Sequence, residues 1–211
     1  MNIVFCVLIG YLIGSINPAY IIGKIHGVDI REKGSGNAGA SNTLITFGKV
    51  KGVICAVLDI AKPCFAIWIT GKLFPAFKYT YVLAGVSCVI GHMYPFYMKF
   101  RGGKGLACLG GMVLAFEIRI FVIFLLAEII IALITDYICF VPITASAVFP
   151  VVYGVLRKDV IGMLIIFIAT FCIIFKHREN IRRIRNGTEL HLSYLWNKES
   201  EIDRVQSNIG Q

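Results

Sequence analysis

Gly105-Leu-Ala-Cys-Leu-Gly-Gly-Met-Val-Leu-Ala-Phe116 carries no charged side chain, and whether it crosses a membrane decides the fold. As a helix rising about 1.5 Å per residue it reaches roughly 18 Å, against roughly 30 Å for the hydrocarbon core of a bilayer. Length alone leaves the segment ambiguous, so its neighbours must settle it. Clear apolar runs precede it at 3–23, 53–71 and 79–98, and others follow at 120–135, 137–156 and 160–175. Cations gather in three places: residues 24–51, with Lys24, Arg31, Lys33, Lys49 and Lys51; Lys99-Phe-Arg-Gly-Gly-Lys104; and the stretch from Lys176 onward. Cytoplasmic loops carry the excess of Lys and Arg, so all three belong on one side. The chain must then cross an even number of times between 104 and 176. Three clear runs are odd, so the short segment crosses too, as a thin or partly sunken helix.

The expected architecture is all-α: a polytopic membrane bundle of seven transmembrane helices, with the N-terminus outside and the C-terminus cytoplasmic. Fifteen of the 21 cations then lie inside. Residues 1–198 read as a single integral membrane domain and 199–211 as a polar tail. Residues 1–23 lack a basic leader and a small-residue cleavage site, and are expected to stay as the first span.

Composition agrees. Of 211 residues, 57% are apolar and 16% charged, and the mean hydropathy is +0.78, which excludes a soluble globule. A net charge of +9 would suggest nucleic acid in a soluble chain; here it follows from topology, and no nucleic-acid partner is expected. The seven cysteines form no Cys-x-x-Cys pair and sit near no histidine cluster, so they read as packing residues and no metal or other cofactor is expected.

Three polar clusters carry the chemistry. The first, Gly34-Ser-Gly-Asn-Ala-Gly39, matches a dinucleotide pattern, but it follows Arg31-Glu-Lys33 in place of a buried strand, so no βαβ unit can form around it. What survives is a turn whose backbone N–H groups can converge on an anion, with Ser35, Asn37, Ser41 and Asn42 as neutral donors. A flexible interhelical turn is the alternative. The second, Gly91-His-Met-Tyr-Pro95 with Lys99–Gly105, lacks the first glycine and the Ser/Thr of a nucleotide phosphate loop. Lys104 nevertheless stands between glycines at the start of the short helix, where an anion is favoured, and is the first choice for an anion clamp. For Lys99 and Arg101 the stronger reading is an anchor that contacts lipid headgroups. In the third, Lys176-His-Arg-Glu-Asn180-Ile-Arg-Arg183, helical spacing puts His177 and Asn180 on one face, and Gly187 stops the helix. A lipid-facing basic anchor is its alternative. Within the membrane, Asp59 and Lys62 share a helical face and read as a structural pair, whereas Glu128 has no evident partner.

Together these clusters resemble the PlsY family of bacterial membrane acyltransferases. The resemblance rests on Gly34-Ser-Gly-Asn-Ala-Gly-Ala-Ser-Asn42, on Gly91-His-x-x-Pro with Phe100-x-Gly-Gly-Lys-Gly105, and on His177-x-x-Asn-Ile-x-Arg183 with Gly187-Thr-Glu189. It implies a seven-span fold and transfer of a fatty acyl group from acyl phosphate to the 1-position of glycerol 3-phosphate. It further implies a bacterial cell-membrane location, a cytoplasm-facing site, membrane lipid as surroundings, and catalytic roles for Ser35, Lys104, His177 and Asn180. By the same resemblance Gly34, Ser35, Gly36, Asn37, Gly39, Asn42, His92, Gly102, Gly103, Lys104, Gly105, His177, Asn180 and Arg183 bind substrate or its phosphate. Either His177 or a substrate phosphate takes the hydroxyl proton. No Gly-x-Ser-x-Gly elbow occurs, so a covalent serine route has no support.

Three departures from the family pattern stand out. Ile45 replaces the arginine expected three residues after Asn42, Pro63 replaces the glycine after Lys62, and Thr144 and Ser146 match a Ser-Leu-x-Ser segment only loosely. They leave room for a paralogue with a changed acceptor. The alternative of another class is a small transporter of phosphorylated solutes, whose sign would be internal repeats with broken helices. No such repeat is found, and the sequence carries no signal for an oligomeric state.

Overall fold

The computed structural model describes residues 1–195 and 197–209. Trp196, in the expected membrane domain, and Gly210 and Gln211, in the expected tail, lie outside the described residues. Among the described residues the chain is helical throughout, without strands.

The first apolar run is not one helix. α1 (Asn2–Ser15) and α2 (Pro18–Ile25) meet at a break, because Pro18 has no N–H to donate and disfavours helix in the residue before it. Asn17 caps α2 by accepting from Tyr20 N at 2.8 Å. The carbonyls freed at the end of α1, Gly14 O and Ile16 O, accept from Lys62 Nζ at 3.2 and 2.8 Å. After a loop come the short α3 (Ala40–Phe47) and the long α4 (Lys49–Leu73), and then α5 (Thr80–Met93). The third run was expected to continue to residue 98; α5 instead stops at Met93. Pro95 ends it by the same steric rule, and residues 99 and 100 follow in the left-handed region, φ 55° and 57°. α6 (Leu106–Phe116), α7 (Ile118–Thr135), α8 (Phe140–Arg157) and α9 (Val160–Lys176) complete the bundle; α10 (Arg178–Arg185) and α11 (Lys198–Ile209) follow.

Among the described residues four stretches are long and apolar enough to cross a membrane: Asn2–Ile25, Lys49–Leu73, Ile118–Thr135 and Phe140–Arg157; Val160–Lys176 with Arg178–Arg185, bent by 41°, adds a fifth if the bent pair is taken as one span. The remaining two expected spans are shorter, α5 with 14 residues and α6 with 11.

α5 is the centre of the bundle. Val82, Val86, Val89 and Met93 pack with Cys108 and Met112 of α6, Phe149 of α8, and Ile166 and Ile173 of α9. On its other side α1 approaches to backbone contact: a Cβ on Gly10 would lie 2.4 Å from Ala84 O, and one on Gly14 would lie 2.0 Å from Cys88 O. Small residues that let backbones meet are the usual basis of helix packing in lipid, where burial against water is not the driving force. α7 is peripheral, with Glu128 its one buried residue. The partner missing from the sequence reading is Thr144, whose hydroxyl donates to Glu128 Oε2 at 2.8 Å.

The contacts between segments sort into two ends. At one, Lys78 pairs with Asp159 at 3.3 Å, Phe5 stacks on Phe74, and the Arg157 guanidinium lies 5.0 Å from the Phe116 ring centroid. At the other, Lys104 meets Asn180, and Leu192 N donates to Asp136 O at 2.6 Å. α6 therefore begins at one end and finishes at the other. The polar tail packs as well: Arg204 donates to Gly187 O and Glu189 O, both at 2.7 Å, and Glu201 accepts from His191 N at 3.1 Å.

Candidate active site

Loop one is shaped from inside by Asn42. This side chain is fully buried; its amide nitrogen donates to Ile30 O, Lys33 O and Asn37 O at 2.9 to 3.0 Å, and its oxygen accepts from Ser35 N at 2.8 Å. Asn42 was expected among the substrate donors. Its hydrogen-bonding capacity is spent on the loop itself, so it is a scaffold residue. Gly34 and Gly36 adopt φ of 54° and 71°, and a Cβ on Gly34 would fall 2.2 Å from Asn42 Oδ1, so glycine is required there. Gly39 ends the loop as the N-cap of α3. Ser35 is left exposed and Asn37 half-buried. The loop is tied down by Asn17, a residue not singled out in the sequence, which donates to Ala38 O at 3.1 Å; its signal was an Asn-Pro pair inside an apolar run.

Loop two folds back over the end of α5. Gly102 N donates to Met93 O and Gly103 N to His92 O, at 3.1 and 3.2 Å. Gly105, with φ 92°, caps α6. His92 was expected to touch substrate, but it lies beneath the loop backbone: a Cβ on Gly103 would meet His92 Nε2 at 2.2 Å. Its Nδ1 is 3.0 Å from Lys62 Nζ and 3.3 Å from Asp59 Oδ1. The expected Asp59–Lys62 pair is present at 2.7 Å. Asp59, His92 and Cys108 converge as metal ligands would, their donor atoms within 4.8 Å, but the Lys62 ammonium already contacts both Asp59 and His92.

Lys104 joins loop two to the third cluster. Its ammonium donates to Asn180 Oδ1 at 2.5 Å, and the Asn180 amide nitrogen donates to Glu189 Oε1. Glu189 also accepts from Arg183 Nε at 2.5 Å. It too was missed as a site residue, although it closes the quoted Gly187-Thr-Glu189. The polar partner of Lys104 is thus a neutral amide, and burial together with nearby Arg183 lowers its pKa below the ordinary lysine range. An arriving anion would supply the missing counter-charge. His177 is buried at the bend between α9 and α10. Its Nδ1 donates to Ile173 O at 2.8 Å, which leaves the Nε2 lone pair free. Burial, reinforced by the Lys104 cation and partly offset by the bond to Ile173, holds its pKa down to about 4. Ile45 is half exposed on α3. Arg31, in the same region, is engaged by Asp29 at 2.6 Å and by Met98 O at 2.7 Å.

Comparison with known proteins gives a consistent picture. A family model described as glycerol-3-phosphate acyltransferase matches residues 4–187. The glycerol-3-phosphate acyltransferase of Exiguobacterium sibiricum is 34% identical over 211 residues, covering 96% of this chain and 100% of the relative. That of Bacillus subtilis is 33% identical over 199 residues, covering 92% and 100%. Among solved structures, the crystal structure of PlsY, an integral membrane glycerol 3-phosphate acyltransferase, in its glycerol 3-phosphate form superposes with a TM-score of 0.83 at 34% identity, covering 92% of this chain and 98% of that one. Its lysophosphatidic acid form gives 0.80 at 34% identity, covering 90% and 95%.

Proposed function

The chain belongs to the glycerol-3-phosphate acyltransferase family, and from that premise we propose that its acyl donor is acyl phosphate and that the three loops together form the site of transfer. The enzyme is a glycerol-3-phosphate acyltransferase with an all-helical membrane fold, and its product is 1-acylglycerol 3-phosphate. The observation that carries the site assignment is Lys104: a half-buried cation held by a neutral amide, beside a neutral imidazole.

In this reading the 1-hydroxyl oxygen attacks the acyl carbon, and the bond from that carbon to the phosphate oxygen breaks. Phosphate is a good leaving group, so positioning and charge stabilisation supply most of the rate. Lys104 and Arg183 balance the phosphate charge, while the backbone N–H groups at Gly34, Gly36, Gly39 and Gly102–Gly105 cradle it together with Ser35 and Asn37. Asn180, oriented by Glu189, holds Lys104. His177 with a pKa near 4 is a weak base, and its free Nε2 suits accepting and aligning the hydroxyl. The proton passes to the departing phosphate, which leaves as hydrogen phosphate, so no protein group needs to keep it.

The same reading has seven crossings, with α5 and α6 as short central spans, an external N-terminus, and the site at the cytoplasmic face of a bacterial cell membrane. The two-ended contact pattern and the distribution of cations support it. Residues 1–198 form the membrane domain, and the polar segment from 199 braces the third loop.

Lys104→Ala tests the site. In purified protein assayed with glycerol 3-phosphate and acyl phosphate, kcat/KM is expected to fall about 100-fold or more, the scale of a lost transition-state contact, with an unchanged elution profile. Activity within threefold of the unsubstituted chain would exclude Lys104 from the site.

A further inference from the structure

The loop carrying Lys104 rests on a buried polar group that lies behind His92. Lys62, 7% exposed, contacts Asp59, His92 and the two freed carbonyls of α1. His92 Nδ1 faces this pair, 3.0 Å from Lys62 Nζ and 3.3 Å from Asp59 Oδ1, so the ring is held on that edge and its Nε2 edge turns towards loop two. His92 Nε2 is the atom nearest the vacant Cβ position of Gly103, at 2.2 Å, and Ala38 O lies 2.9 Å from the same position. Ala38 belongs to loop one and is itself held by Asn17. A single buried stack therefore runs from Asp59 and Lys62 through His92 to the Gly103 backbone, and ends against loop one.

We propose that His92, seated on the Lys62–Asp59 pair, is a positioning residue whose ring sets the height of the Gly103 backbone against Ala38. Two loops from distant parts of the chain then present one phosphate-binding surface, with Lys104 at its edge. This rests on the reading above that both loops bind the phosphate of glycerol 3-phosphate. Three features of the stack support a dedicated role. A charged pair is costly inside a membrane and persists where it is paired and used. Its partners lie at the end of α1 and on α4, which stand on either side of loop one in the chain, and on α5, which leads into loop two. And glycine at 103 leaves no side chain to cushion the contact, so displacement of the ring passes directly to the backbone.

The test is glycerol 3-phosphate binding by calorimetry, together with turnover, for the full chain and for His92→Ala, His92→Gln and Gly103→Ala. His92→Ala is expected to weaken affinity and raise KM about tenfold or more, with a smaller effect on kcat, as misplacement of a binding group by a fraction of an ångström would. Gln, whose carbonyl can still accept from Lys62, is expected to recover most of the loss. Gly103→Ala keeps the Asp59–Lys62 pair but sets a methyl 2.2 Å from His92 Nε2 and 2.9 Å from Ala38 O, so the ring and the loop backbone must part; it should reproduce the affinity defect at some cost in thermal midpoint. Affinity within twofold of the original chain for Gly103→Ala overturns the proposal even if His92→Ala fails to fold, and so does a folded His92→Ala with unchanged KM. Turnover of the unsubstituted chain separately tests the acyltransfer: a chain that binds glycerol 3-phosphate without turnover, and is weakened by these variants, would keep the positioning role and sink the assigned reaction.

Discussion

At the scale of single residues, the site depends on which polar atoms are left over once the fold has used the rest. Asn42 and His92 stood out in the sequence as readily as Asn37 and Lys104, because each is a polar residue in a glycine-rich stretch. Burial separates them, and burial is a tertiary property: Asn42 is consumed by four loop contacts, whereas Lys104 keeps a neutral partner. Glu189 was quoted only as part of a motif, since nothing local reveals that it orients an asparagine nine residues earlier. His177 gives a direct prediction. With a folded pKa near 4 and an unfolded value of about 6.5, the unfolded chain binds more protons between those values. Stability should therefore rise as pH increases from about 4 to about 6.5 and gain nothing further from this group above that. A titration of nitrogen-labelled histidine by NMR should place the His177 midpoint near 4 in substrate-free protein; a midpoint near 6.5 would mean that its ring is solvated and not held beside Lys104.

At the scale of elements, most helices were legible as apolar runs, and the two main departures have the same cause. The breaks at Asn17-Pro18 and Tyr94-Pro95 lie inside runs that hydropathy treats as continuous. Proline interrupts the backbone without interrupting hydrophobicity. Both breaks shape the candidate site: one frees the carbonyls that accept from Lys62, and at the other loop two folds back over His92. The close α1–α5 contact was not legible, because glycines in an apolar run do not announce which backbone they will meet. Gly14→Leu is expected to lower the thermal midpoint in detergent, with a cost of about 1–3 kcal/mol or more for forcing the helices apart. Gly110→Ala, whose nearest neighbour to an added Cβ is Phe121 at 3.7 Å, should leave the midpoint unchanged or slightly raised. Equal effects from the two would show that α1 and α5 do not pack through Gly14.

At the scale of the whole molecule, the proposed topology takes the two ends of the contact pattern to be the two faces of a membrane, with the cation-rich loops at one of them. Charge parity expects the short segment at 105–116 to cross; α6 runs from the end that holds Lys104 to the end that holds Arg157, as the proposed crossing requires. Reporter fusions after Arg157 and after Asn186 are expected to read external and cytoplasmic respectively; a cytoplasmic signal after Arg157 would overturn the seven-crossing topology. In the proposed reading, with the three loops forming the site at one end, a water-soluble phosphate and a lipid-borne acyl group would meet without either crossing the bilayer. The measurement that tests this most directly is formation of 1-acylglycerol 3-phosphate by purified protein, given glycerol 3-phosphate and either acyl phosphate or an acyl thioester. The predicted result is product from acyl phosphate alone, with no added metal or nucleotide; product from the thioester only, or from neither donor, would contradict a site built to stabilise a departing phosphate.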